Sequence, residues 1–261
     1  MQKKYQAPVV KKAFSILNAI AKNQRGMRIS EISSRLNIGK STVHGITSAL
    51  EQAGAIIRDP VSKQYNIGLT LLDLGKAAYE RIDFKINARP VLEDLMEQCG
   101  ETVFFGIRNG DRVTIIDKVD SKKDFKITSP VGTSLPLQVG AIGKLFLSCM
   151  DEKELETYLQ TNPLSLYTPK TIIDIEQYKQ ELEKVRKNGF ALDNEEYITG
   201  VRAVAAGINP YGAYHPAIWI VGFKNAMYGS KLENIISLIC TAAEHINERL
   251  ANHNYDAIIA N

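Results

Sequence analysis

Apolar residues recur at three- and four-residue steps between Val9 and Ala21: Val10, Ala13, Phe14, Ile16, Leu17, Ile20 and Ala21 share one face of a helix. A second, short helix is expected behind Ser30 as N-cap, carrying Ile32 and Leu36 inward and ending between Asn37 and Gly39. Either Asn37 or Gly39 can take the left-handed backbone needed for a sharp turn. Lys40 or Ser41 opens a third helix with Val43, Ile46, Ala49, Leu50 and Ala53 on its apolar face, stopped by Gly54. Its opposite face carries Ser41, Thr42, His44, Gly45 and Ser48, small polar side chains that suit entry into a DNA major groove. Two short β-rich runs in "AIIRDPVSKQYNIG" flank the turn former Asp59-Pro60 and predict a hairpin wing, with Arg58 and Lys63 near its tip.

Further along, Leu69, Leu72, Leu74, Ala77, Ala78 and Ile82 predict one continuous helix, and Arg89-Pro90 is expected to open another that ends at Gly100. "ETVFFGIRNGDRVTIIDKV" reads as a hairpin turned at Asn109-Gly110. Strands are expected at Phe190 to Asp193, Val201 to Ile208 and Ala217 to Phe223. Helices are expected at Ile142 to Met150, Glu152 to Gln160, Ile175 to Asn188 and Leu232 to Leu250. The resulting class is α+β, with a sheet flanked by helices.

Charge sharpens the division. The 261 residues carry a formal net charge of +3, yet residues 1–68 hold 11 Lys and Arg against 3 Asp and Glu, leaving 21 against 26 in the remainder. Such a basic head on an acidic-leaning body fits a nucleic-acid-binding unit joined to a unit with another task, and Arg28, Lys40, Arg58 and Lys63 are expected to contact the DNA beside the outward face of the third helix. No apolar run approaches the ~20 residues of a membrane helix, and no signal segment is evident, so a cytoplasmic protein with no membrane partner is expected. Cys99, Cys149 and Cys240 are widely separated and are expected to be reduced core residues.

Two motifs suggest chemistry and then withhold it. "GKST" at 39–42 ends like a phosphate-binding loop, but the first glycine of that motif would fall at Ser34, in a helical stretch. "LDNEEY" offers Asp193, Glu195 and Glu196, with strand alternation placing Asp193 and Glu195 on one face and Glu196 on the other. No nucleophile, metal cluster or cofactor motif accompanies them, so no catalytic residue, cofactor or metal is expected, and the carboxylates are expected to cap, to pair with Arg202 or to orient a ligand. An enzyme or sensor whose basic head contacts protein is the rival reading; it would need a nucleophile and base near "DNEE". "PVGTSLPLQVGAIGK" is a Gly- and Pro-rich loop entering a helix, where a backbone N-terminus favours an anion.

Four segments together, "VVKKAFSILNAI", "ISEISSRLNIGKSTVHGITSALEQAGAIIRDPVSKQYNIGLTLLDLG", "VGTSLPLQVGAIGKLFL" and "NGFALDNEEYITGVRAVAAGI", resemble the IclR family of bacterial transcriptional regulators. The resemblance runs from about Val9 to Leu250. It implies a winged helix-turn-helix over residues 1–68, a linker helix over 69–83, a GAF-like effector-binding domain over 84–250 and a C-terminal tail over 251–261. The implied partners are an operator in double-stranded DNA, a small-molecule effector, and further copies of the chain as a dimer or a pair of dimers.

Carried over by position, the resemblance implies an effector pocket at Ile127, Gly140, Ala141, Asp193, Ala203, Trp219 and Val221. Three departures stand out. Gly45 occupies a place where the family usually has a basic residue. Ala203 stands where many relatives have cysteine, and Trp219 and Val221 where they often have serines. Lost hydroxyls and an added indole predict an effector more apolar or aromatic than a two- or three-carbon acid.

Overall fold

The computed structural model describes residues 7–80 and 84–259, and the chain divides into two units, Met1–Ile82 and Asp83–Asn261. In the first unit α1 (Pro8–Ala21), α2 (Ile29–Leu36) and α3 (Lys40–Gln52) close around Ile16, Ile20, Ile32, Val43 and Ile46. Each of these side chains, taken out of water, contributes about 1.5–3 kcal/mol. The antiparallel wing, β1 (Ile56–Arg58) and β2 (Tyr65–Ile67), adds Ile56 and Tyr65 to the same core. Met27 exchanges backbone hydrogen bonds of 3.0 and 2.8 Å with Tyr65, fastening the wing to the segment that enters α2. α4 (Thr70–Glu80) follows; the linker helix is expected to reach residue 83, and 81–83 lie outside the described residues.

Several local expectations are corrected. Arg28, not Ser30, is the N-cap of α2, because Glu31 three residues on accepts a 2.6 Å hydrogen bond from the Arg28 N–H and starts the helix two residues earlier. Asn37 takes the left-handed conformation (φ 52°), while Gly39 is extended and caps α3. On α3 Thr47 is buried, its hydroxyl donating back to the Val43 carbonyl at 2.9 Å, whereas Ala49 and Ala53 are exposed. Val10 and Phe14 of α1 are also exposed, at 51% and 62%.

The second unit is built on a six-stranded antiparallel sheet. Its strands are β3 (Thr102–Asn109), β4 (Arg112–Val119), β5 (Ser134–Pro136), β6 (Phe190–Asn194), β7 (Val201–Gly207) and β8 (Pro216–Phe223), in the order β5-β4-β3-β8-β7-β6. The β3–β4 turn has Asn109 paired with Arg112 and Gly110 at φ 63°, so Gly110 and Asp111 form the two-residue loop. Alternation sends Phe104, Ile115, Ala203, Ala205 and Trp219 to one face. There they meet α6 (Gly140–Ser148), α7 (Glu152–Thr161) and α8 (Ile175–Asn188). α5 (Phe84–Cys99) and α9 (Gly229–Ile259) pack together against the sheet.

Here too the structure departs from the sequence pattern. Pro90 lies inside α5, which begins at Phe84; the fully buried Ala88 and Leu92 on either side hold the helix through the missing N–H. β5 arises within the Gly- and Pro-rich stretch read as loop, and as an edge strand it tolerates Pro136. α9 continues through Ile259, past Leu250. None of the three cysteines is fully buried: all are free thiols, and Cys149 is exposed. Among the described residues no helix is long and apolar enough to cross a membrane.

Candidate functional site

α3 presents Lys40, Ser41, Thr42, His44 and Gly45 to solvent, with Ser48 half-buried at the edge of the same face. Val43, Ile46 and Thr47 pin the helix to the core behind them. The first turn of α3 offers backbone N–H groups that have no carbonyl four residues back, a place where a DNA phosphate binds well. At the wing, Arg58 is exposed and its guanidinium lies 5.7 Å from the Tyr65 ring centre, while exposed Lys63 has φ 59° at the tip. The tip is ordered by Asp59, whose Oδ1 accepts from the N–H groups of Val61 (3.0 Å) and Ser62 (2.6 Å). Those backbone donors, Ser62 first, hold the Asp59 carboxyl below its ordinary range. Arg28 is exposed but directed inward at one nitrogen: Nε donates to the Ser62 carbonyl at 2.9 Å, tying the start of α2 to the wing.

In the second unit one cavity of about 580 Å³, counting its mouth, is lined by all seven residues expected around an effector. Sheet register explains how distant residues meet there. Asp193, Ala203 and Val221 are neighbours across β6, β7 and β8, and Trp219 pairs with Phe104 across β8 and β3. Gly140 and Ala141 come from the first turn of α6, and Ile127 from the segment that follows β4. Trp219 is 3% exposed and stacks on Phe104 with ring centres 5.4 Å apart. Its ring leaves no room for a side chain at position 106, since a Cβ there would stand 2.8 Å from the indole; Gly106 is what admits it. The indole therefore serves the core and the cavity wall at once. Sequence reasoning missed Phe104, Ile115, Leu135 and Tyr197 among the lining residues, although Leu135 and Tyr197 stand inside "PVGTSLPLQVGAIGK" and "LDNEEY".

The charged groups around the cavity do not follow strand alternation. Asp193 is buried, and burial, with the nearby Glu196 charge, raises its carboxyl to about 6 against the pull of the 2.7 Å hydrogen bond from the Glu196 N–H. One carboxylate oxygen is placed 3.0 Å from where a Gly140 Cβ would be, so Asp193 lies against the start of α6. Glu195 leaves the strand with φ 67° and turns to Lys170 (2.5 Å) and Lys224 (2.7 Å), which pull its carboxyl down to about 2. Glu196 accepts from Lys144 Nζ at 2.7 Å. Arg202, the expected partner of these carboxylates, instead bonds Asn194 Oδ1 and the Met227 carbonyl. Lys144, 1% exposed, was missed as well; a lysine inside the apolar run "AIGKLFL" was its signal. Among the described residues no cluster of His, Cys, Asp and Glu could hold a metal ion.

A basic winged helix-turn-helix unit and a sheet unit enclosing a largely apolar cavity define the class: a DNA-binding transcriptional regulator. Residues 9–60 match the IclR helix-turn-helix domain, and residues 76–248 match the family described as bacterial transcriptional regulator IclR C-terminal. The chain belongs to the IclR family. It is 31% identical to the HTH-type transcriptional regulator XynR of Escherichia coli over 199 residues, 76% of this chain and 79% of that one. It is 28% identical to the regulator KdgR of the same organism over 247 residues, 94% of each. Among solved structures, the IclR of Thermotoga maritima is 33% identical, covering 92% of this chain and 98% of that one with a TM-score of 0.65. The relatives are named as regulators of transcription, and this chain is a regulator rather than an enzyme.

Proposed function

We propose that this regulator binds its operator as a dimer or pair of dimers, and that a monocarboxylic acid with an aromatic or extended apolar body controls the binding from the cavity of the second unit. The observation that carries the effector class is the wall made by stacked Phe104 and Trp219, continued by Ile115, Ala203 and Val221, with Asp193 as its one acidic group. An apolar body would displace water from that wall, worth about 25 cal/mol for each Å² covered. The ligand carboxylate would sit at the first turn of α6, beside Gly140 and Ala141, where unpaired backbone N–H groups and the helix dipole favour negative charge. Asp193, half-protonated near pH 6, could then donate to that carboxylate rather than repel it.

The DNA-contacting set proposed is Lys40, Ser41, Thr42, His44, Gly45 and Ser48 on α3, with Arg58 and Lys63 on the wing. Arg28 sets the wing's position. A second copy of the chain would cover Val9, Val10 and Phe14 of α1 and Leu72 and Leu74 of α4, all more than half exposed. Two heads at fixed spacing supply the specificity that one small head lacks.

Trp219 is the only tryptophan, so intrinsic fluorescence reports on the cavity directly. Titration with benzoate and hydroxybenzoates is expected to change its emission saturably, with little response to glyoxylate, pyruvate or lactate. A saturable response to those short acids and none to the aromatic acids would overturn the effector class.

A further inference from the structure

The effector cavity is walled mostly by packed elements, but one wall is a single thickness of chain. Ile127 and Ser129, in the irregular segment between β4 and β5, line the cavity, while Lys126, Thr128 and Pro130 beside and between them are exposed. Cavity and solvent are separated there by one backbone. That backbone is lightly held. Among the described residues, 122–129 make no backbone-to-backbone hydrogen bond, and Phe125 is 86% exposed, so apart from half-buried Ile127 neither pairing nor apolar burial fastens it.

The two ends are tied down. Lys122 and Lys123 pair with Glu97 and Glu101, and at the far end the Gly132 N–H donates to the Ile115 carbonyl at 2.8 Å. Between those ends, Thr128 is the one residue of 124–130 whose side chain is hydrogen-bonded among the described residues. Its hydroxyl donates to Asp120 Oδ1 at 2.5 Å and accepts from Lys118 Nζ at 2.7 Å, and Lys118 Nζ also donates to Asp120 Oδ1 at 3.0 Å. The proton and an acceptor site of the hydroxyl are thus both engaged, in a closed triangle whose other corners stand at the end of β4. By contrast, the turn that carries Tyr197 and Ile198 into the cavity wall is pinned by three lysines, since Glu195 pairs with Lys170 and Lys224, and Glu196 with Lys144.

We propose that residues 124–130 are a strap under which ligands enter the effector cavity, and that Thr128 is the positioning residue that holds it closed through Asp120 and Lys118. Lifting the strap takes Ile127 and Ser129 out of the cavity wall and breaks one latch whose charged side chains are partly exposed, so brief local opening comes at low cost. Closure restores the wall over a bound ligand and keeps water from it. This rests on the cavity being the effector site, as proposed above, and not on the class of acid that fills it.

Trp219, buried in the cavity wall and the only tryptophan, reports opening without any effector, through collisional quenching by acrylamide, a small uncharged probe. In the full chain Thr128→Val, close in shape and lacking the hydroxyl, is expected to raise the quenching rate constant about three-fold or more, with the melting transition unchanged. Asp120→Ala is expected to behave likewise, and Thr128→Ser, which keeps the hydroxyl, to quench as the natural chain does. An unaltered quenching constant in Thr128→Val and Asp120→Ala, an equal rise in Thr128→Ser, or a rise matched by a lowered melting transition would each overturn the proposal. Failure of aromatic acids to bind would count against the effector class alone, because acrylamide reads the strap whichever acid the cavity takes.

Discussion

Gly45 sits on the exposed face of α3, and nothing lies within 4 Å of the place its Cβ would occupy. Gly45→Arg should therefore fit, add about 1 kcal/mol of helix propensity and supply a phosphate contact. Operator affinity by fluorescence anisotropy is expected to rise several-fold, with a steeper salt dependence by about one phosphate; unchanged affinity would mean that position 45 does not face the duplex. Asp193 makes a different prediction. Its folded-state carboxyl titrates near 6 against an ordinary 3.8, so the native chain holds the proton more tightly than the unfolded one. Stability from this group is full below about pH 4 and is lost as pH rises through about 6, a change on the order of 3 kcal/mol. Asp193→Asn should flatten that part of the stability curve in urea titrations at successive pH values; an unaltered slope would assign the burial strain elsewhere. At this scale the seven cavity residues were legible only through family resemblance, which aligns positions that strand register later brings together. Lys144 was harder to read, because helix periodicity treats a lysine as surface and only its place inside the apolar run "AIGKLFL" pointed inward.

α6 owes its position to Gly143, where a Cβ would stand 2.4 Å from the Leu137 carbonyl oxygen. The chain entering the helix crosses directly over that glycine, and the first turn of α6 is thereby set against the effector cavity. Gly143→Ala should cost about 1–3 kcal/mol through overpacking and weaken the Trp219 response to an aromatic acid; an unperturbed melting transition would show that the crossing can relax. Long periodic elements such as α1, α3, α8 and the β3–β4 hairpin were plain in the sequence because their apolar spacing is dictated by burial. The failures share a physical cause, which is that local punctuation was outweighed by tertiary contacts. Pro90 does not open α5 because buried Ala88 and Leu92 anchor both sides of it. Ser134–Pro136 pairs with β4 although its composition says loop, and Glu31 reaching back to the Arg28 N–H displaces Ser30 as the cap.

In the function proposed above, the basic unit of the whole molecule grips DNA and occupancy of a cavity in the other unit would alter that grip. An effector can do this only through a difference in affinity between the two DNA-binding states, on the order of 1–3 kcal/mol. Self-association enters first. Leu72→Asp places a charge in the exposed apolar surface of α4 and should yield monomers by analytical ultracentrifugation, with operator affinity reduced roughly a hundred-fold as the second head is lost. The most direct test of the central claim is fluorescence anisotropy of DNA from upstream of the chain's own coding region, titrated with the protein over a salt series, with and without benzoate or 4-hydroxybenzoate. Affinity is predicted to fall steeply with salt and to shift about 5- to 150-fold when the aromatic acid saturates the Trp219 signal. A flat salt response, or an operator affinity indifferent to an acid that does occupy the cavity, would contradict the account.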